Sequence, residues 1–119
     1  MQAKGIVWVG SRTERFDEMV AFLRDRLGLV VHQEQPGFAE LWLPNGDKFE
    51  VFGPDQAPEF TTGPAAEFLV EDIAAARAEL EAAGVEFISE IESDEGFSWT
   101  HFRAPDGNVY GLTSGPYGS

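Results

Sequence analysis

The segment Pro44-Asn45-Gly46-Asp47-Lys48-Phe49-Glu50-Val51 returns as Pro105-Asp106-Gly107-Asn108-Val109-Tyr110-Gly111-Leu112, offset by 61 residues from Pro44 to Pro105 in a chain of 119. The same offset sets Ile6-Val7-Trp8-Val9 on Glu67-Phe68-Leu69-Val70. A repeat spanning half the chain means one supersecondary unit used twice, and that excludes most single-pass architectures. Between these anchors the offset drifts, so that Gly28 matches Gly84.

Each half reads as strand, helix, then three strands. In the first, Ser11-x-x-Glu14 has the pattern of a capping box, Phe16, Met19, Val20, Leu23 and Leu27 follow helical spacing, and Gly28 supplies the stop. In the second, Asp72 is the expected N-cap, Ile73, Ala76, Leu80 and Ala83 form the apolar stripe, and Gly84 ends it. Strands are expected at Leu29–Glu34, Phe38–Leu43, Lys48–Phe52, Val85–Ser89, Ser98–Arg103 and Asn108–Thr113. Both final hairpins turn at Pro-Asn-Gly or Pro-Asp-Gly, with glycine where the backbone must become left-handed. One domain over 1–119 follows: a module at 1–54, a linker at 55–64, a module at 65–113 and a loose tail at 114–119.

Composition narrows the function. Asp and Glu number 21 against 8 Lys and Arg, a net charge of −13. Phosphate backbones and anionic lipid surfaces repel such a chain, so nucleic acid and membrane are not expected partners. With no Cys, disulfides, thiolate metal sites and cysteine nucleophiles are excluded. The opening MQAKGIVWVG has no long apolar core, and no stretch approaches the roughly 20 apolar residues of a membrane span, so a cytoplasmic protein is expected. Gly-rich phosphate loops, His-Glu-x-x-His and Gly-x-Ser-x-Gly are all missing from the sequence.

Two βαβββ modules, Arg26-Leu27-Gly28-Leu29 and Ala82-Ala83-Gly84-Val85 after the helices, and Phe102-Arg103-Ala104-Pro105-Asp106-Gly107-Asn108 together resemble the vicinal oxygen chelate superfamily. That superfamily holds glyoxalase I, extradiol dioxygenases, metal-dependent fosfomycin resistance proteins and metal-free bleomycin resistance proteins. The resemblance implies an α+β fold in which two tandem modules form a curved mixed sheet around a concave cavity. It also implies a homodimer, since family members usually complete their cavities across a two-fold axis.

In the metal-using relatives, ligands come from the first and last strand of each module. Those positions fall here on Lys4, Glu50, Ala65 and Gly111, and a one-residue shift reaches only Ala3, Gly5, Pro64 or Ala66. Only Glu50 is a ligand type where a catalytic zinc site needs about three protein ligands. No metal and no cofactor are therefore expected. A non-standard site built from His101, Glu50, Glu40 or His32 is the alternative.

Strand alternation sorts the remaining candidates. The last hairpin pairs Arg103 with Val109, His101 with Gly111 and Trp99 with Thr113; the first pairs Trp42 with Lys48, Glu40 with Glu50 and Phe38 with Phe52. These residues share the cavity face, whereas Phe102, Tyr110 and Leu112 face the helix. His32 is expected on the cavity face too, and so is Trp8. The ligand-binding set is thus Trp8, His32, Phe38, Glu40, Trp42, Glu50, Phe52, Glu67, Trp99, His101, Arg103 and Gly111, with Gly111 opening space beside His101. Aromatic rings beside carboxylates attract planar or cationic ligands through stacking and cation–π contact. The segment Glu90–Gly96 is either a solvated loop or a mobile acidic lid.

Two function classes follow. One is a metal-independent small-molecule binder similar to the bleomycin resistance proteins, sequestering a cationic aromatic compound such as an antibiotic. The other is a superfamily-type enzyme, a lyase, isomerase or dioxygenase-like protein with a metal-free or non-standard site, in which His101 and Glu50 would carry acid–base chemistry.

Overall fold

The computed structural model describes residues 1–61 and 63–116. The chain forms two compact units, one of Trp8–Ala65 and one running from Ala66 onward together with Met1–Val7. Strands β1 (Gly5–Arg12), β2 (Val30–Gln35), β3 (Phe38–Trp42) and β4 (Lys48–Phe52) accompany helix α1 (Phe16–Asp25). Strands β5 (Gly63–Leu69), β6 (Glu86–Phe87), β7 (Glu92–Asp94), β8 (Phe97–Arg103) and β9 (Val109–Ser114) accompany helix α2 (Ile73–Ala82). The fold is α+β with mixed parallel and antiparallel pairing, as the resemblance implied.

In the Trp8–Ala65 unit the strand order is β2-β3-β4-β1. Strand β1 pairs in parallel with β4, from Val9 opposite Phe49 to Arg12 opposite Phe52, and the other two pairings are antiparallel. Alternation sends Ala39, Leu41 and Val51 under α1, where all three are fully buried with Val20 and Leu23, while Phe16 and Met19 pack around them. The expected capping box does not form. Pairing with β4 draws the backbone of β1 out to Arg12, so Ser11 is a buried strand residue. The helix instead starts after Arg15, whose N–H donates to Thr13 Oγ1 at 3.0 Å.

The second unit repeats the plan with order β5-β9-β8-β6. Strand β5 pairs in parallel with β9, setting Glu67 opposite Gly111 and Phe68 opposite Leu112. Asp72 caps α2 as expected, its Oδ1 accepting from Ala75 N–H at 3.0 Å. Val70, Ile73, Ala76 and Leu112 form the core beneath the helix, with Phe68, Leu80, Phe87 and Phe102 packed against it. The repeat's two turns hold Gly46 at φ 92° and Gly107 at φ 85°, a conformation that a Cβ would strain.

Two segments depart from the sequence reading. The expected strand Val85–Ser89 shortens to Glu86–Phe87, because the Ser89 carbonyl is taken by Arg77 Nη1 at 2.5 Å and Thr100 Oγ1 at 3.2 Å rather than by a ladder. Glu90–Gly96 is solvent-exposed, and part of it is not loop: β7 folds back on β8 with Glu92 opposite Trp99 and Asp94 opposite Phe97. The connecting residues Glu95 and Gly96 both have positive φ, 50° and 87°, the signature of a tight two-residue hairpin. Strand β5 begins at Gly63, inside the expected linker, and Tyr117–Ser119 of the expected tail lie outside the described residues. Among the described residues no helix is long and apolar enough to cross a membrane.

Leu41 and Leu112 are each buried beneath the helix of their own unit, at 0% and 3% exposure. Leu41→Ala and Leu112→Ala are each expected to cost about 2–5 kcal/mol in urea-unfolding free energy. Losses under about 1 kcal/mol would show that the helix-facing side has been misassigned.

Candidate functional site

The aromatic set of the first unit lies on the sheet side turned away from α1. The observed register pairs Phe38 with Phe52, Glu40 with Glu50 and Trp42 with Lys48, as alternation implied. The Phe38 and Phe52 rings tilt against each other at 5.4 Å, and Trp8 meets Phe52 at 6.2 Å. The Trp8 indole runs along its own strand: a Cβ on Gly10 would come within 2.3 Å of Trp8 Cη2, so only glycine leaves room there. Its Nε1–H donates to Glu50 Oε1 at 2.8 Å.

Sequence reasoning missed two members of this group. Phe60, buried, stacks on Trp8 at 5.3 Å and 19°. Arg12 holds the segment that carries it, donating to the carbonyls of Pro54, of Gln56 at 2.9 Å and of Phe60 at 3.2 Å. The only available signal was one large apolar residue in a linker otherwise made of Pro, Gly, Ala and polar residues.

Farther along the same face, Trp42 Nε1–H donates to Glu40 Oε2 at 2.5 Å. Gln33 Nε2 approaches the other Glu40 oxygen at 3.4 Å. His32 lies on the Trp42 ring at 3.8 Å, and Lys48 Nζ sits 5.6 Å from that ring. Glu40 and Glu50 stay half-buried and Trp42 is 37% exposed. Carboxylates among half-buried rings make a surface suited to flat cations.

The second unit gathers its candidates differently. His101 and Glu67 are buried, at 5% and 9% exposure, with His101 Nε2 3.2 Å from Glu67 Oε2. Thr113 Oγ1 donates to the other Glu67 oxygen. Ser89 Oγ accepts from His101 N–H at 3.0 Å and lies 3.4 Å from His101 Nδ1. In the Nε2–H tautomer His101 donates to Glu67, which as a carboxylate only accepts, and the Ser89 hydroxyl can donate to Nδ1. Within the second unit the carboxylate joined to His101 is Glu67, a contact the sequence reading did not foresee. Trp99 is half-buried with its Nε1–H on Glu92 Oε2 at 2.9 Å, and exposed Arg103 donates to the Gly107 carbonyl at 3.0 Å.

Gly111 does not open space beside His101. A Cβ there would lie 2.8 Å from Glu67 Cγ and 3.1 Å from His101 Cδ2. The room left by the glycine is filled by Glu67, its cross-strand neighbour.

A metal bound in the superfamily's usual way does not fit these residues. Lys4 precedes β1, and the register, which sets Gly10 on Glu50 as it sets Glu67 on Gly111, makes Trp8 the counterpart of Ala65. Neither of these nor Gly111 is a ligand, and Glu50 at the remaining position accepts the Trp8 indole hydrogen. Among the described residues no group of three or more His, Asp or Glu side chains is placed to hold a metal ion.

Comparison with known proteins agrees with this fold. The profile of the Glyoxalase/Bleomycin resistance protein/Dioxygenase superfamily matches residues 5–111, and the chain belongs to that superfamily. A superfamily member from Vibrio splendidus 12B01 superposes with TM-score 0.69 at 22% identity, over 92% of this chain and 97% of that one. The Mn(II)-bound glyoxalase from Novosphingobium aromaticivorans gives TM-score 0.74 at 22% identity, over 95% of this chain and 39% of that one. Methylmalonyl-CoA epimerase from Mycobacterium tuberculosis gives TM-score 0.67 at 18% identity, over 96% and 89%. At these identities the likeness is one of fold, and the fold hosts several chemistries. A search of curated proteins finds no match.

Gly111→Ala is expected to destabilise the protein by about 1–3 kcal/mol in urea unfolding, because the new methyl meets a buried hydrogen-bonded carboxylate. Unchanged stability would mean that Glu67 can leave its place at little cost.

Proposed function

We propose that this superfamily member is a metal-independent binder of planar, cationic small molecules, acting by sequestration in the cytoplasm. The observation that carries the reading is the face of the first unit, where Trp8, Phe38 and Phe52 gather beside Glu50 and, directly across the strand pair, Glu40. Ring faces attract flat or cationic groups, each contact worth about 0.5–2 kcal/mol, and the two carboxylates add charge of the right sign. The chain's net charge of −13 favours approach of a cation from a distance. Sequestration needs no nucleophile and no metal, which agrees with the donor set at the four strand positions. The bleomycin resistance proteins are the relatives whose character this matches.

Tryptophan fluorescence titration against a panel of cationic aromatic compounds tests the proposal. Quenching at micromolar concentrations is expected, and Glu50→Gln should weaken it roughly two- to fivefold by removing one charge. No quenching across the panel overturns the proposal. So does a stoichiometric, tightly held Zn, Ni, Mn or Fe in the purified protein.

The proposed working form is a homodimer, the commonest closed assembly. Light scattering is expected to return twice the 13.1 kDa chain mass at micromolar concentration. A monomer mass across that range removes the dimer from the proposal.

A further inference from the structure

Strand β2 contains one residue more than its partner can match. Val31 stands opposite Leu41 and Gln33 opposite Glu40, so the ladder shifts between them and His32 is the extra residue of a bulge. Bulges turn a side chain away from its regular direction. Here the imidazole is laid almost flat on the Trp42 indole, 3.8 Å between centroids and 14° between planes. The Trp42 ring is fixed from its edge by Glu40, through the bond from Nε1. From the β4 side, the Lys48 ammonium stands 5.6 Å from the ring centroid.

Two of the chain's own groups thus occupy the ring, one a flat heteroaromatic and the other a cation. They show what the Trp42 face accepts: a heteroaromatic plane at stacking distance, positive charge above the π-cloud, and a carboxylate at the rim. Both His32 and Trp42 are exposed, so displacing the imidazole opens no core and leaves no buried group unpaired. An exposed stack on a strand adds little to folding, whereas a bulge interrupts the pairing around it.

We infer that the Trp42 face, rimmed by Glu40, is a stacking subsite for one flat ring of a cationic heteroaromatic ligand, with His32 as its displaceable occupant. This rests on the sequestration reading and adds to it a subsite and a residue that sets affinity. A ligand ring must first remove the imidazole, so the stack subtracts from the affinity of any ligand that uses the Trp42 face. Ligands whose ring stacks no better than imidazole gain nothing at Trp42.

The test uses proflavine, a flat heteroaromatic cation, with binding followed by fluorescence anisotropy. His32→Ala is expected to tighten binding about two- to tenfold, the range of one aromatic stack. His32→Phe keeps a ring on Trp42 and is expected to bind no tighter than the unsubstituted protein. In the His32→Ala/Trp42→Ala double variant the gain should vanish. Far-UV circular dichroism on each variant confirms that the sheet is intact. If the unsubstituted protein binds but His32→Ala is unchanged or weaker, or the gain survives without Trp42, the subsite is wrong and the sequestration reading stands. If neither the unsubstituted protein nor His32→Ala binds, both readings fall. Binding by His32→Ala alone supports the subsite and overturns sequestration by the natural chain.

Discussion

Each half of this protein is organised by the parallel pairing of its first strand with its last, β1 with β4 and β5 with β9. Parallel neighbours cannot be joined by a tight turn, so the chain must leave the sheet and return. It leaves as a helix, and the two antiparallel strands that follow complete the sheet beside it. Once the pairing is set, alternation divides the side chains between a helix-facing layer and an opposite one. Ala39, Leu41 and Val51 beneath α1 and Leu112 beneath α2 are consequences of that division. So is the collection of Trp8, Phe38, Phe52, Glu40 and Glu50 on the other side. The same parallel ladder carries β1 through Arg12 and displaces the helix start to Phe16.

Carboxylates hold the aromatic residues in place. Each of the three tryptophans donates its indole N–H to a glutamate: Trp8 to Glu50, Trp42 to Glu40 and Trp99 to Glu92. A buried or half-buried indole needs an acceptor, and a charged one makes a stronger bond than a neutral one. The excess of acidic residues therefore has a local use besides its long-range field. It fixes ring orientation while leaving negative charge at the ring edge, the combination that a flat cation would meet.

The corresponding face of the second unit has gone another way. Where metal-using relatives place a ligand, Gly111 yields its volume to Glu67, and buried Glu67, His101 and Thr113 join half-buried Ser89 in one hydrogen-bonded chain. Arg77 reaches from α2 to the Ser89 carbonyl and the Thr100 hydroxyl, so the helix also fixes the segment on which Ser89 sits. Among the described residues no buried side-chain polar atom lacks a partner, as a low-dielectric interior demands. The two halves share a backbone plan and differ in the chemistry of the face turned away from the helix.

The repeat, the helical stripes, the Pro-x-Gly turns and strict alternation marked the two modules and the register of their final hairpins from sequence alone, while the sheet arrangement came from the family resemblance. Those signals are local in range or have a period of two residues, so Trp42 opposite Lys48 and His101 opposite Gly111 could be read directly. Tertiary structure decided what spacing does not encode. The bulge at His32 adds a residue to one strand without any sequence mark, and only the partner strand shows that the imidazole lands on Trp42. Phe60 reaches Trp8 because Arg12 ties down a linker whose composition suggests no fixed position. Glu67 fills the space of Gly111 because those residues, 44 positions apart from Glu67 to Gly111, become cross-strand neighbours in a parallel ladder. A glycine in a sequence shows where a side chain is missing, and the packing of the folded chain decides which other side chain takes the room.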